Sequence, residues 1–336
     1  MFSSPTTLIG ESSPASDLRF SWIAFSILLL GCYREDKPTQ PPPPADAPAK
    51  EIALAGAAVL IGAGDIAMCG TLGDERTAMI VDSVLRDDSA AKVENAVFTL
   101  GDNAYPSGAQ GARDDFSRCF TPSWGTKRIM QFIHPSTGNH DFQTVMGPGY
   151  YAYFGDRAGP SGKGFYSYDL GKWHLISLNS EILSSPLYDP ALAKSQDEWL
   201  RKDLAEHGRP CTLAYWHRPL FTSGVHGPSP EVQRFWNILY ENGVDVVING
   251  HEHHYERFIP QTPAGIPDSA KGIEQIIAGT GGADLRIVHY PYAPNSLVRI
   301  TGHHGVIKLT LGDGEYRHAF LDVDGRVWDR GGRKCH

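Results

Sequence analysis

The stretch "VDVVINGHEHH", residues 244–254, joins an apolar, valine-rich run to a cluster of histidines. The run has the length and composition of a buried β-strand, and Gly250 marks its end. Directly after it, His251 and His253 occupy alternate positions. In extended backbone both imidazoles therefore project to the same side. Two imidazoles placed in this way are suited to binding adjacent metal ions.

Four other apolar runs end in the same manner, in polar residues with potential chemistry. These ends are Asp65, Asp102 with Tyr105, Asn139 with His140, and His217. Between the runs lie stretches such as 75–87 and 196–208, in which apolar residues recur with the period of a helix. Strands that alternate with helices favour a largely parallel sheet, and loops at the carboxyl ends of such strands build functional sites. We therefore expect the five polar clusters to converge.

The converging side chains are carboxylates, an amide, a phenol and imidazoles, without a thiolate. This set suits zinc, manganese or iron better than a soft metal. A single histidine at a strand end would more often be structural, but five ends with the same character favour a metal centre. Four of the ends also have a glycine just before the polar residue, where it permits a tight turn and close approach: Gly64, Gly101, Gly138 and Gly250.

The five ends contain short motifs in a fixed order, namely GD at 64–65, GDNAY at 101–105, GNHD at 138–141, WH at 216–217 and GHEH at 250–253. Together they resemble the motifs of the calcineurin-like metallophosphoesterase superfamily. That superfamily usually has a histidine where this chain has Ala67. Tyr105 supplies the substitute used by the purple acid phosphatase branch. The stretches 251–258 and 221–228 also resemble that branch.

The resemblance implies a four-layer α/β/β/α sandwich, with two mixed sheets flanked by helices. After the last motif, the segments 271–282 and 305–332 have the pattern of strands and hairpins. We expect them to complete the second sheet.

The resemblance also implies two metal ions. One would be held by Asp65, Asp102, Tyr105 and His253, and the other by Asp102, Asn139, His217 and His251. Two cations about 3.5–4 Å apart need a shared anionic ligand, which would be Asp102. Because a phenolate adds an anionic oxygen, we expect Fe(III) with a divalent zinc, manganese or iron ion. Two zinc or two manganese ions are the alternative.

The expected function is hydrolysis of phosphate monoesters through attack of a metal-bound hydroxide. His140 is not needed as a ligand, so it is expected to contact the phosphoryl oxygens or protonate the leaving group, with Asp141 as a candidate for orienting it. His226 is a second candidate for both roles. The alternatives are a phosphodiesterase or nucleotide hydrolase, and a surface lipoprotein that binds metal or phosphate without turnover.

Composition limits the partners. The chain has 336 residues, a formal net charge of -8 and 41% hydrophobic residues, which predict a globular protein without the basic surface that nucleic acid requires. A small phosphorylated substrate is therefore the expected partner. The sequence leaves the oligomeric state open.

The N-terminal region predicts export. The apolar run at 20–32 is too short to span a bilayer and fits a signal peptide over residues 1–31. Its end, "LLGC", resembles the lipobox of bacterial lipoproteins, in which Cys32 would be lipidated and provide the only membrane contact. The proline-rich segment 32–50 reads as a tether, followed by a catalytic domain at 51–336. An ordinary signal peptide or a buried helix is the alternative.

Four cysteines follow Cys32, an even number that fits two disulfides in an oxidising compartment: Cys69, Cys119, Cys211 and Cys335. Three pairings are possible. Because Cys69 and Cys119 both lie near the first metal loops, we favour a bond between them, which leaves Cys211 for Cys335. Four free thiols are the alternative.

Overall fold

The computed structural model describes residues 54, 57–111, 114–184 and 188–336, and within these ranges thirteen strands form two sheets. Sheet I contains β1 (Ala58–Ala63), β2 (Asn95–Thr99), β3 (Ile133–His134), β11 (Gly305–Leu311), β12 (Glu315–Asp322) and β13 (Val327–Lys334). Sheet II contains β4 (Tyr166–Leu170), β5 (Trp173–Ser177), β6 (Cys211–Trp216), β7 (Val246–Asn249), β8 (Tyr255–Phe258), β9 (Glu274–Ala278) and β10 (Ser296–Ile300).

Both sheets are mixed. Sheet I has the order β13-β12-β11-β1-β2-β3, and sheet II has the order β10-β8-β9-β7-β6-β5-β4. The strands β1, β2 and β3 are parallel, as are β5, β6, β7 and β9. The remaining pairs are antiparallel. The parallel strands are therefore the ones that carry the predicted site.

The C-terminal strands divide between the sheets, which differs from the prediction. Strand β9 joins sheet II, as expected, together with β10, which lies outside the two predicted segments. Strands β11, β12 and β13 instead extend sheet I from β1. The expectation that all of them complete the second sheet is wrong. Antiparallel hairpins need only short turns, so the local pattern does not decide which sheet they join.

Helices cover the outer faces. The helices beside sheet I are α1 (Gly73–Ala91), α2 (Lys127–Phe132) and α3 (Pro148–Phe154), and those beside sheet II are α4 (Glu181–Ser184), α5 (Pro190–Glu206) and α6 (Gln233–Glu241). Short π or 3-10 turns occur at Phe116–Phe120, Gly155–Ala158 and Pro230–Val232. Helices α1 and α5 confirm the two helical stretches predicted from the sequence. Asp189 caps α5 by accepting a hydrogen bond from the N–H of Ala191.

The side chains of the strands alternate between two cores. Leu60 of β1 and Ile248 of β7 both point into the central core between the two sheets. Their neighbours Ile61 and Val247 point outward and pack against the helices that cover sheet I and sheet II. This alternation follows from the two-residue period of a strand. The result is the predicted four-layer α/β/β/α sandwich.

Two disulfides are present, with the predicted pairing. Cys69 bonds to Cys119, and Cys211 bonds to Cys335. The first joins the loop after β1 to the π-helical turn. The second joins the start of β6 in sheet II to the residue that follows β13 in sheet I. The alternative of free thiols is thereby excluded.

The predicted signal peptide, Cys32 and the tether, at 1–31 and 32–50, lie outside the described residues. Within the described part of the chain, no helix combines the length and the apolar character needed to cross a membrane.

Candidate metal centre

The carboxyl ends of five strands meet at one edge of the packed sheets. Sheet I supplies the ends of β1, β2 and β3, and sheet II supplies those of β6 and β7. All the predicted ligands lie there, with Asn139 partly exposed and the others buried: Asp65, Asp102, Tyr105, Asn139, His217, His251 and His253. The structure therefore brings together every side chain that the sequence named as a metal ligand.

The first group of donor atoms surrounds the phenol of Tyr105. Its hydroxyl lies 3.1 Å from Asp65 Oδ1, 3.1 Å from Asp102 Oδ2 and 3.3 Å from His253 Nε2. The Nε2 atom of His253 is also 3.3 Å from Asp65 Oδ1. Four oxygen and nitrogen donors from three loops therefore point to a common centre.

The second group surrounds His217. Its Nε2 atom lies 3.1 Å from Asn139 Oδ1, 3.1 Å from His251 Nδ1 and 3.3 Å from Asp102 Oδ2. Asp102 Oδ2 thus belongs to both groups. A single carboxylate oxygen is placed where it can bind two ions at once.

The outer nitrogens of two imidazoles fix their tautomers. His217 Nδ1 lies 2.7 Å from the carbonyl oxygen of Leu100, and His253 Nδ1 lies 2.5 Å from that of Asp284. A carbonyl only accepts, so each Nδ1 carries the proton that it donates. The lone pair of each Nε2 is left free for the site, as in metal-ligating histidines. Donor type, spacing and tautomer all fit a pair of metal ions.

Charge also favours a cation here. Burial opposes ionisation of Asp102, but the adjacent His217 outweighs it and holds the pKa of Asp102 well below its ordinary value. Burial likewise opposes a charge on His217, yet the Asp102 carboxylate raises the pKa of His217 to about 10. Burial, then Asp102 and Asp65, raise the pKa of Tyr105 well above its usual value. The Asp102 carboxylate therefore stabilises a proton on His217. A metal ion would compete with that proton for the His217 lone pair.

The backbone of the ligand loops is unusual. Asp65, Asp102 and His251 have φ values of 58°, 50° and 70°, in the left-handed region that residues other than glycine rarely adopt. A Cβ atom on Gly138 would lie 2.1 Å from the backbone nitrogen of Asp102. At that position the predicted need for glycine is confirmed, because only a bare Cα fits.

His140 lies beside the first group. Its backbone N–H donates to Asp102 Oδ1 at 2.7 Å, and its ring packs against Tyr105 with 4.4 Å between centroids. The Nδ1 atom lies 2.6 Å from the carbonyl oxygen of Pro106 and donates to it. The Nε2 atom is 3.9 Å from Asp102 Oδ2, and the side chain is partly exposed. The Nε2 atom of this partly exposed ring therefore lies near the shared carboxylate of Asp102.

Asp141, the candidate for orienting His140, is held by a set of buried hydrogen bonds. Its carboxylate accepts hydrogen bonds from Asn103 Nδ2 at 2.8 Å and from the N–H of Gly138 at 3.0 Å. Burial and, secondarily, Asp102 raise the pKa of Asp141 to about 7. It joins the loops after β2 and β3, whereas the carbonyl of Pro106 orients His140. The hydrogen bonds of Asp141 thus fix the loop that carries His140, and its role in orienting His140 stays a prediction.

His226 lies beside the second group. Its ring packs against that of His251 with 4.4 Å between centroids, and its backbone N–H donates to Glu252 Oε1 at 3.0 Å. His226 Nδ1 is 3.3 Å from Glu252 Oε2. Glu252 is fully buried and anchors the exposed loop that carries His226.

A family model described as "Calcineurin-like phosphoesterase" matches residues 61–255, which is more than half of the chain. This protein belongs to the calcineurin-like phosphoesterase family. The matched range begins in β1 and ends in β8, so it contains all seven predicted metal ligands.

Relatives within this family include purple acid phosphatases. Human "Acid phosphatase type 7" is 28% identical over 300 residues, which cover 79% of this chain and 66% of the relative. "Purple acid phosphatase 15" of Arabidopsis thaliana is 36% identical over 108 residues, covering 30% of this chain and 19% of the relative. The chain thus spans less than two thirds of the length of these curated relatives.

Solved structures show the same fold. A purple acid phosphatase, PPD1, from yellow lupin seeds has a TM-score of 0.63 at 19% identity, covering 83% of this chain and 54% of that one. GAP50, described as the anchor in the inner membrane complex of Plasmodium, has a TM-score of 0.66 at 14% identity, covering 83% and 89%. The phosphoesterase sandwich is therefore shared beyond recognisable sequence similarity.

Two arginines near the two ligand groups were not predicted from the sequence. Arg218 forms an ion pair with buried Glu181, at 3.0 Å, and its Nη1 atom lies 3.4 Å from His251 Nε2. Its position directly after His217 was a usable signal. Arg286, which contacts His226, lies in no motif and gave no such signal.

Proposed function

We propose that this protein is an exported phosphatase that hydrolyses phosphate monoesters with two metal ions. The single observation that best supports the proposal is the position of Asp102. Its Oδ2 atom lies 3.1 Å from the Tyr105 hydroxyl and 3.3 Å from His217 Nε2, so it is shared by two groups of ligands. Two ions that clamp one phosphoryl group need such a bridging anion.

The ligands divide as the donor distances suggest. Asp65, Asp102, Tyr105 and His253 would hold one ion, and Asp102, Asn139, His217 and His251 would hold the other. When bound, the ions neutralise phosphoryl oxygens and make a water acidic enough to attack phosphorus at neutral pH.

His140 is the proposed proton donor to the leaving group. Its Nδ1 proton is committed to the carbonyl of Pro106, so only the imidazolium form has a proton on Nε2 to donate. Packing against Tyr105 and the bond from its own N–H to Asp102 hold the ring at the centre. Asp141 contributes by fixing the loops on which Asn139 and His140 lie.

Tyr105 supports Fe(III) at the first position, with a divalent zinc, manganese or iron ion at the second. The phenol lies 3.1 Å from each of two carboxylates, which together with burial oppose its ionisation. A more highly charged ion is needed to offset three anionic oxygens. An iron-phenolate bond would give a visible absorption band that Tyr105→Phe removes. A colourless, iron-free active enzyme would instead support two zinc or manganese ions.

Export is supported by the two disulfides, since such bonds persist in oxidising compartments. We propose that residues 1–31 are a lipoprotein signal peptide, that Cys32 carries the lipid, and that 32–50 is a tether to the catalytic domain. Cys32→Ser should then move the protein from the membrane fraction to the soluble fraction. A parent protein that is already soluble would contradict the lipid anchor.

The deciding experiment combines metal analysis with a panel of phosphate esters. Purified protein should contain two transition-metal ions and release phosphate from aryl monoesters faster than it cleaves diesters or nucleotides. Faster cleavage of diesters or nucleotides would favour the alternative substrates. Stoichiometric metal without turnover across a broad pH range would favour a binding protein.

A further inference from the structure

The segment between β9 and β10, residues 279–295, brings Arg286 to the metal centre. The N–H of Arg286 donates to the carbonyl oxygen of His253 at 2.9 Å, and the N–H of Ala283 donates to that of Asp65 at 2.9 Å. Both acceptors belong to predicted metal ligands. The backbone of Arg286 is therefore fixed relative to the first group of ligands.

The guanidinium of Arg286 has an imidazole, not a carboxylate, as its neighbour. Its Nη1 atom contacts His226 Nε2 and lies 3.5 Å from His226 Nδ1. In the part of the chain that the structure describes, no carboxylate forms an ion pair with this guanidinium. Arg218, by contrast, is neutralised by Glu181. The positive charge of Arg286 thus lies beside His226 at the centre without a carboxylate in direct contact among the described residues.

The contact also decides which nitrogen of His226 carries a proton. Arginine only donates, so His226 Nε2 accepts, and Nδ1 donates to Glu252 Oε2 at 3.3 Å. A proton on Nε2 would face the guanidinium. The Nε2 atom of His226 therefore serves as an acceptor for the Arg286 guanidinium.

The side chains of Arg286 and His140 contact different rings at the centre. His140 packs on Tyr105, whereas the ring that Arg286 contacts packs on His251 and lies 6.3 Å from His253, measured between centroids. A phosphoryl group held across the two ligand groups would therefore have donors on both sides. A guanidinium is well matched to two phosphoryl oxygens, because it donates two parallel N–H bonds.

We propose that Arg286 binds the phosphoryl group of the substrate and selects dianionic monoesters over monoanionic diesters. This inference rests on the phosphatase activity proposed above. A monoester presents three non-bridging oxygens and two negative charges, whereas a diester presents two such oxygens and one charge. Arg286 therefore has more charge and one more acceptor to bind in a monoester.

The test compares Arg286→Gln and Arg286→Lys with the parent and with Arg201→Gln. Arg201 lies in α5 and pairs with Glu241 at 2.9 Å on the surface, so its variant makes the same charge change elsewhere. For each protein, kcat and KM are measured with an aryl phosphomonoester and the corresponding diester. The metal content and the Kd of inorganic phosphate, by calorimetry, are also measured.

A charge-assisted hydrogen bond supports an effect of about 10–100-fold on recognition of the monoester. Arg286→Gln should lower its kcat/KM by about that factor, largely through KM, and should weaken phosphate binding about tenfold. The kcat/KM for the diester should fall by a several-fold smaller factor. The monoester kcat/KM of Arg286→Lys should lie between the values of the parent and Arg286→Gln. That of Arg201→Gln should equal the value of the parent. The metal content should stay unchanged, because the hydrogen bond from Arg286 to His253 comes from the backbone, which the substitutions keep.

An equal loss of kcat/KM for the monoester and the diester, or a loss of metal, would overturn the inference. Arg286 would then serve only to position His226. Unchanged monoester kinetics would also overturn it. If the parent cleaves neither ester, the proposed phosphatase function fails separately. The phosphate titration then decides, since equal affinity in parent and Arg286→Gln would exclude an anion site and a tenfold loss would establish one.

Discussion

The two sheets contribute different chemistry to the same centre. The loops after the strands of sheet I supply oxygen donors, which are Asp65, Asp102, Tyr105 and Asn139, and those of sheet II supply the imidazoles of His217, His251 and His253. Each donor group combines ligands from both sheets. Neither sheet alone therefore supplies a complete donor group, and the packing of the two sheets brings the donors together.

A packing contact between the sheets aligns the two sets of loops. Phe98 of β2 and Tyr215 of β6 meet in the central core, with 5.4 Å between ring centroids. Asp102 follows the first of these residues by four positions, and His217 follows the second by two. The hydrophobic core thus sets the distance between the carboxylate and the imidazole.

The largest effect is expected where both donor groups share one residue. Asp102→Ala should remove both metal ions and all measurable phosphatase activity, because the bridging anion is lost. Asn139→Ala and His253→Ala should each lower the occupancy of one position, since each residue lies in a single group. Metal analysis by mass spectrometry checks this. Two ions retained in Asp102→Ala would contradict the shared role.

The second-largest effect is expected at His140, where a substitution should change kcat without changing metal binding. His140→Ala should lower kcat by about 10²–10⁴-fold, the usual range for a general acid, while both metal ions remain. Gln143→Ala, which removes a neighbour 3.0 Å from His140 Nδ1, is the control and should have little effect. Steady-state kinetics with matched metal analysis is the measurement. A His140→Ala enzyme as fast as the parent would assign the proton to another group.

A core substitution tests whether docking of the sheets controls the centre. Phe98→Ala should cost about 3–5 kcal/mol of unfolding free energy and also weaken metal retention, because it loosens the contact with Tyr215. Leu85→Ala, in α1 on the outer face of sheet I, should cost about 2–5 kcal/mol without loss of metal. Denaturant unfolding and metal analysis measure both effects. Equal metal loss in the two variants would show that general stability, not docking, is responsible.

The smallest effect concerns sheet II away from the centre. Burial opposes a charge on His174, but Asp203, at 2.8 Å, and Asp169, at 3.0 Å, outweigh it and raise the pKa of His174. A raised folded-state pKa gives stability that is fully present below the unfolded value, about 6.5, and lost as pH rises through the folded value.

His174→Gln should therefore cost up to about 1 kcal/mol near pH 5 and less near pH 9, with metal content unchanged. Unfolding free energies at the two pH values measure this difference. A cost that is the same at both pH values would contradict the ionic origin.

The sequence predicted the features that are local. The strand ends at Asp65 and His217 could be located because an apolar run stops at a polar residue, and the helices because their apolar period is regular. The sheet that β11 to β13 join was not predictable in this way, since pairing with β1 is a contact between distant segments. Arg286 was missed for the same reason: hydrogen bonds to remote loops, not a pattern of neighbours, bring it to the site.

The bond between Cys211 and Cys335 lies at the opposite end of β6 from His217. It joins the two sheets covalently at this end, whereas the proposed metal ligation at the other end would be reversible. We therefore expect that the ions of the proposed centre can be removed and restored without separation of the two sheets.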